Sequence, residues 1–148
     1  MWIIAGKCPR VTMKTTRAIE SRYDAMARQL SAPTALVHFA TAPQHDGSAH
    51  VEQDGDTFCY VVTERGQELE RRRTTDVEEL LFWLASDLTW AMAIDYEISH
   101  RIPGQDFRRL LFQKHLELLA ELSPKWSQSK GAEYERVLAD HPFCDEDG

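Results

Sequence analysis

The sequence predicts an α+β fold: an N-terminal helix, a small antiparallel β-meander of about four strands, then three helices packed on it. Three observations carry this reading. Alternating apolar runs meet at Asp54-Gly55 and again at Glu64-Arg65-Gly66-Gln67, both hairpin signals. From Thr75 onward apolar residues recur at helical rather than alternating spacing. No linker, repeat or low-complexity tract interrupts residues 1–148, so one domain is expected.

Residues 1–14 show no clear periodicity and, like the acidic stretch 144–148, are expected to be peripheral or frayed. Ile19, Tyr23, Met26, Ala27 and Leu30 follow helical spacing behind an N-cap at Thr15 or Thr16, and Ser31-Ala32-Pro33 stops that helix. Leu36-Val37-His38-Phe39 reads as a short strand. Val51-Glu52-Gln53 and Thr57 to Thr63 flank Asp54-Gly55. In the second of these strands Phe58, Tyr60 and Val62 share one face, Cys59 and Val61 the other. Both faces are apolar, the mark of a central strand. Gln67 to Arg73 returns as a charged strand, Glu68, Glu70 and Arg72 alternating with Leu69, Arg71 and Arg73, as expected of an edge.

Thr75-Asp76-Val77-Glu78 reads as a capping box with Thr75 at the N-cap. The helix it opens should run to about Arg101, before Ile102-Pro103-Gly104. Leu80, Leu81, Leu84, Leu88, Ala91, Met92 and Ile98 line one face, and Trp83, Trp90 and Ile94 a second stripe. A third helix starts near Gln105 with Phe107, Leu110, Leu111, His115, Leu118, Leu119 and Leu122 along one side; Ser123-Pro124 ends it. A shorter fourth helix carries Tyr134, Val137 and Leu138, after which His141-Pro142-Phe143 folds back on the body.

The composition is that of an ordinary folded protein, 28% charged and 43% hydrophobic. Cys8, Cys59 and Cys144 form no CxxC and read as free thiols of a reducing compartment. The N-terminus has no basic n-region, and no apolar run is long enough to span a bilayer, so a cytoplasmic location without membrane contact is expected. The net charge of -7 is uneven: residues 1–74 hold ten Lys/Arg against nine Asp/Glu, residues 75–148 seven against fifteen. Such a balance repels nucleic acid and would serve solubility or attract a basic protein partner.

Asp95 stands out, since helical spacing puts it in the middle of the apolar stripe. A carboxylate there needs a partner. Arg101, Arg108 or Arg109 would supply a structural ion pair. Alternatively, an accessible Asp95/Arg cleft would serve a ligand-binding domain or small enzyme. Glu64-Arg65 occupies a turn, with Arg65 tying turn to helix or serving a partner. Trp83 and Trp90, seven apart, suit either core packing or an interface, including that of a homodimeric adaptor. His45 and His50 lack metal-ligand spacing, and His115 reads as a hydrogen-bonded core histidine. Arg71-Arg72-Arg73 alternates between strand faces rather than forming a phosphate site. Without a P-loop, GxSxG, GxGxxG or Cys/His pair in context, neither enzyme activity nor a cofactor or metal is expected.

Several segments form an ordered series. They are Tyr60-Val61-Val62-Thr63-Glu64-Arg65-Gly66, then Arg72-Arg73-Thr74-Thr75-Asp76 and Glu79-Leu80-Leu81-Phe82-Trp83. Tyr96-Glu97, His100-Arg101, Asp106, Arg108-Arg109, Phe112, Leu118-Leu119 and Trp126 follow. The series resembles the immunity protein 63 family over roughly Ile19 to Phe143. The resemblance implies a cytoplasmic α+β protein of bacterial polymorphic toxin and contact-dependent inhibition systems, which neutralises a cognate toxin C-terminal domain by tight, stoichiometric binding, as monomer or homodimer. It carries over no catalytic residue. It implies that Glu64, Arg65, Gly66, Trp83, Asp95, Arg101, Arg108 and Arg109 serve the shared fold. Many such toxins are basic nucleases, so Glu64, Glu68, Glu70, Asp87 and Glu97 are the expected toxin contacts.

Overall fold

The computed structural model describes residues 14–146. Their order is α1 (Thr16–Gln29), a 3-10 turn (Thr34–Leu36), β1 (Asp46–Asp54), β2 (Thr57–Glu64), β3 (Gln67–Thr74), α2 (Val77–Ser99), α3 (Phe107–Leu122) and α4 (Pro124–Asp140). The chain divides into two compact units. Among the described residues, one holds 14–26 with Val37–Leu84, the other Ala27–Leu36 with 85–146.

In the first unit the sheet is a three-stranded antiparallel meander, β1-β2-β3, not one of four strands. The missing strand is Leu36–Phe39. Leu36 N–H instead closes a tight turn onto Pro33 O at 2.9 Å, and the following segment offers β1 a single backbone bond, Val51 N–H to Ala40 O at 2.9 Å. Pro33, with its fixed φ, favours the turn. β2 is central, as its two apolar faces require. Its register sets Gln53–Phe58–Thr74 and Val51–Tyr60–Arg72 in rows on one face, and Glu52–Cys59–Arg73 and His50–Val61–Arg71 on the other. Ile19, Val51, Phe58, Val61, Leu80 and Leu81 are fully or almost fully buried in this unit. Tyr23 adds to it by accepting the His38 N–H at 3.0 Å while its ring meets Phe39.

β3 is the edge strand and is exposed along most of its length. The register slips between Val62–Glu70 and Thr63–Glu68, so Leu69 is a bulged residue, 56% exposed. The β2–β3 turn uses left-handed backbone at Arg65 (φ 50°) and Gly66 (φ 81°), the pair a tight hairpin of this hand needs.

The α2 cap is one residue later than a Thr75 N-cap. Asp76 Oδ1 accepts the Glu78 N–H at 2.9 Å, and Thr74 Oγ1 accepts the Asp76 N–H at 2.9 Å. An Asp cap of this kind is worth about 1 kcal/mol. Along α2 the buried residues Leu81, Ala85, Thr89, Ala93 and Glu97 advance in steps of four. Each step turns the stripe by about 40°, because four residues at 3.6 per turn overshoot one revolution. The helix serves one core with Val77–Leu84 and another with Ala85–Ser99, so its inward face is not one straight line.

In the second unit α3 and α4 form a hairpin closed by Ser123. Its hydroxyl accepts the Trp126 N–H at 3.3 Å, and Pro124 takes the first helical turn, where no donor is needed. Phe112 stacks on Tyr134 with centroids 3.9 Å apart. α4, expected to be short, spans 17 residues. His141-Pro142-Phe143 does fold back: Arg108 donates to His141 O and Pro142 O, both at 2.9 Å, and Arg109 lies over the Phe143 ring. Residues 144–146, expected to fray, are held. Cys144 N–H reaches Asp106 at 2.9 Å, Asp145 accepts the Asp106 N–H at 2.7 Å, and Glu146 N–H bonds Gly104 O at 2.7 Å. Residues 1–13 and 147–148, with Cys8 and the rest of the expected peripheral N-terminus, lie outside the described residues.

Candidate functional site

Asp95 is not a buried acid. The turning stripe carries it out to solvent and brings Glu97 in, to 3% exposure. Glu97 meets the need a buried carboxylate has: Arg101 grips it with both nitrogens of its fork, at 3.0 and 2.6 Å. The guanidinium holds the Glu97 carboxyl below its usual range against the upward pull of burial. Arg101→Ala is therefore expected to raise the Glu97 pKa, a shift that NMR titration of the side chain reads directly. The wild type loses the contribution of this pair as pH falls through the depressed Glu97 pKa; with the pair gone and burial raising that pKa, the variant should instead lose stability as pH rises through the raised value.

The three arginines proposed as partners of Asp95 are all engaged elsewhere, so no Asp95/Arg cleft forms. Arg108 binds Asp106, the N-cap of α3, at 2.8 Å, and with backbone donors holds that carboxyl far below the normal carboxylate range. Arg109 pairs with Asp145 at 3.0 Å.

The expected acidic edge is also more balanced than its sequence suggests. Arg71 bridges Glu68 at 2.6 Å and Glu52 at 3.0 Å, keeping both carboxyls below their usual range. Arg72 pairs with Glu70 and covers the Tyr60 ring at 4.5 Å and the Trp83 ring at 5.1 Å. Thus Arg72, not Arg65, ties the sheet to Trp83. The Arg65 guanidinium has no ion pair or hydrogen bond among the described residues; its backbone does the structural work, donating to His45 O at 3.1 Å. His45, itself left-handed at φ 59°, accepts the Gly66 N–H on Nδ1 at 3.2 Å and donates its own N–H to Thr63 Oγ1 at 3.3 Å. This brace presets the Glu64–Gly66 turn, and Glu64 itself is exposed. His50 is buried against Glu52, Nε2 to Oε2 at 2.8 Å.

Trp83 and Trp90 are half-buried, each committed to its own unit: Trp83 against Tyr60, Trp90 edge-on to His115. His115 is the core histidine its position suggested. Thr89 spends its hydroxyl hydrogen on Ala85 O at 2.7 Å, so its oxygen accepts from His115 Nε2–H at 2.8 Å, shared with Ser86 O at 3.1 Å. Nδ1 then accepts the Tyr134 hydroxyl at 2.5 Å, which makes the imidazole neutral with its proton on Nε2.

Two surface features remain. At the α2–α3 joint Ile98, Ile102 and Phe107 are all exposed, more apolar surface than a joint needs. Beside α2 lies a groove of about 310 Å³, with Leu30, Leu36, Met92 and Leu118 in its walls and Asp95 and Glu121 among its polar residues.

The family model described as Immunity protein 63 matches residues 54–136, more than half of the chain. The chain belongs to the immunity protein 63 family. The match takes in the β2–β3 hairpin, α2, α3 and most of α4. No curated protein and no solved structure matches the chain. In this immunity protein 63 chain no described helix is long and apolar enough to cross a membrane. Of the acids expected to face a partner, Glu64, Glu68, Glu70 and Asp87 are exposed, and Glu97 is buried. The brace from His45 and the groove beside Asp95 escaped sequence reading. The first acts through the backbone as well as the ring of a loop histidine, and the second borrows its wall from residues 30–36, which read as a helix end, its stop and the start of a strand.

Proposed function

We propose that this chain is a cytoplasmic antitoxin that binds the C-terminal domain of a cognate bacterial polymorphic toxin one to one and neutralises it. The observation that carries the reading is membership of the immunity protein 63 family over residues 54–136. The net charge of -7 supports a basic toxin domain, a nuclease being the class whose phosphate site is itself basic. The exposed turn at Glu64 and the exposed face at Asp87 are the proposed contacts among the acids first considered. The braced turn suits such a role, because a preset loop gives up little conformational freedom on binding.

Co-expression with the toxin domain encoded immediately upstream is expected to restore growth, and the mixed proteins should elute as a one-to-one complex by light scattering. Folded protein that neither rescues growth nor forms the complex would overturn this reading.

A further inference from the structure

We propose that the groove formed by the end of α1, the Thr34–Leu36 turn, α2 and α3 seats a lysine or arginine side chain presented by the basic partner protein. The inference rests on the antitoxin reading and names the anchoring point within it.

The groove has the two parts an amphipathic cation requires. Its apolar surface comes from Leu30, Leu36, Met92 and Leu118, and it also carries the carboxylates of Asp95 and Glu121. Long basic side chains lay their methylene stems on such surface and bring the charged head to an acid. Both carboxylates are available. Neither side chain takes part in an ion pair or hydrogen bond among the described residues. Glu117, Glu133 and Asp145 in the same unit are paired with Lys114, Lys130 and Arg109. The sheet edge is likewise neutralised by its own arginines, whereas the groove leaves its acids for something else.

Lys114 also lines the groove, but its ammonium is engaged by other groups, 4.5 Å from the Tyr96 ring centroid and 3.8 Å from Glu117 Oε2. The walls are tied before any partner arrives. Gln29 Nε2 donates to Glu121 O at 2.7 Å, Ala32 N–H to Ala27 O at 2.9 Å, and Leu36 N–H to Pro33 O at 2.9 Å. At about 310 Å³ the space matches the lower end of single-ligand pockets, which fits one long side chain rather than a helix.

The test is the affinity of the full chain for the toxin domain, by calorimetry at low and at physiological salt. D95K/E121K is expected to weaken binding about tenfold to a hundredfold at both salt concentrations, because a desolvated cation loses its partners and meets two like charges. D95N/E121Q should reproduce most of that loss without reversing charge. E135K/D140K, the same charge change on exposed positions of α4, should weaken binding less, and only at low salt. Thermal melts establish that each variant folds; all four positions are exposed. Wild-type affinity retained by D95N/E121Q and D95K/E121K overturns the groove and leaves the antitoxin reading standing. An equal loss in E135K/D140K also overturns it, since the effect would then be general attraction. Binding of free arginine amide as tight as that of the toxin domain would make the groove a small-ligand site and overturn the docking role. Failure of the wild-type chain to bind the toxin domain overturns the antitoxin reading itself.

Discussion

Lowering the pH from 7 to 4 is expected to remove about 3 kcal/mol of stability through His115 alone. The side chain is 2% exposed, and burial, helped by the charge of nearby Lys130, pushes its pKa down to about 4 from an ordinary 6.5. The unfolded chain therefore takes up a proton near pH 6.5 while the folded one refuses it until near pH 4. The stabilisation is complete above pH 6.5 and disappears as pH falls through that window. Geometry explains the refusal: Nδ1 already accepts the Tyr134 hydroxyl, so a second ring proton meets that hydrogen unless it rotates away and the phenol oxygen becomes the acceptor. Urea titrations at half-unit steps of pH measure the slope. In His115→Leu the slope above pH 5 should flatten. Stability at pH 7 should drop by a few kcal/mol, because the Tyr134 hydroxyl and Ser86 carbonyl lose their partner.

Phe58→Ala is expected to cost about 3–5 kcal/mol, the usual range for deleting a fully buried aromatic ring. Phe58 has no exposed surface and sits mid-row between Gln53 and Thr74 on the central strand. The same experiment addresses the two compact units. We expect one cooperative transition, lowered as a whole by Phe58→Ala in the first unit and by His115→Leu in the second. Two transitions, each moved by only one substitution, would show that the units fold separately.

The parts of this fold that could be read from sequence are those specified by a few adjacent residues. Gly55 and Gly66 mark the two hairpins because each turn needs left-handed backbone, which glycine adopts without a side-chain clash, and Ser123-Pro124 both ends one helix and starts the next. Parts set by longer relationships were displaced. Leu36–Phe39 has strand composition, but Pro33 pulls its start into a turn and β1 meets this segment only through the Ser48 and His38 side chains, the one backbone bond nearby falling on Ala40 rather than forming a ladder. Asp95 matched the apolar stripe only while the stripe was taken as straight; a helix that changes core partway turns its buried face, and Glu97 becomes the interior acid. Glu68 and Glu70 read as free acids because sequence alone does not show which arginine stands beside each. The candidate groove joins residues 30–36 to positions more than fifty residues later, and nothing in local spacing announces that meeting.

The bulge at Leu69 has a consequence for how the protein behaves in a crowded solution. A three-stranded sheet ends in strands whose outer groups invite another copy to add on, and successive additions build fibrils. β3 breaks the even repeat such stacking needs. Two residues, Glu68 and Glu70, pair with consecutive residues of β2 while Leu69 between them is left over. Alongside it, Arg71, Arg72 and Arg73 would meet their own kind in a parallel, in-register copy. At this edge the bulge therefore works against strand addition even though it leaves one apolar side chain in water.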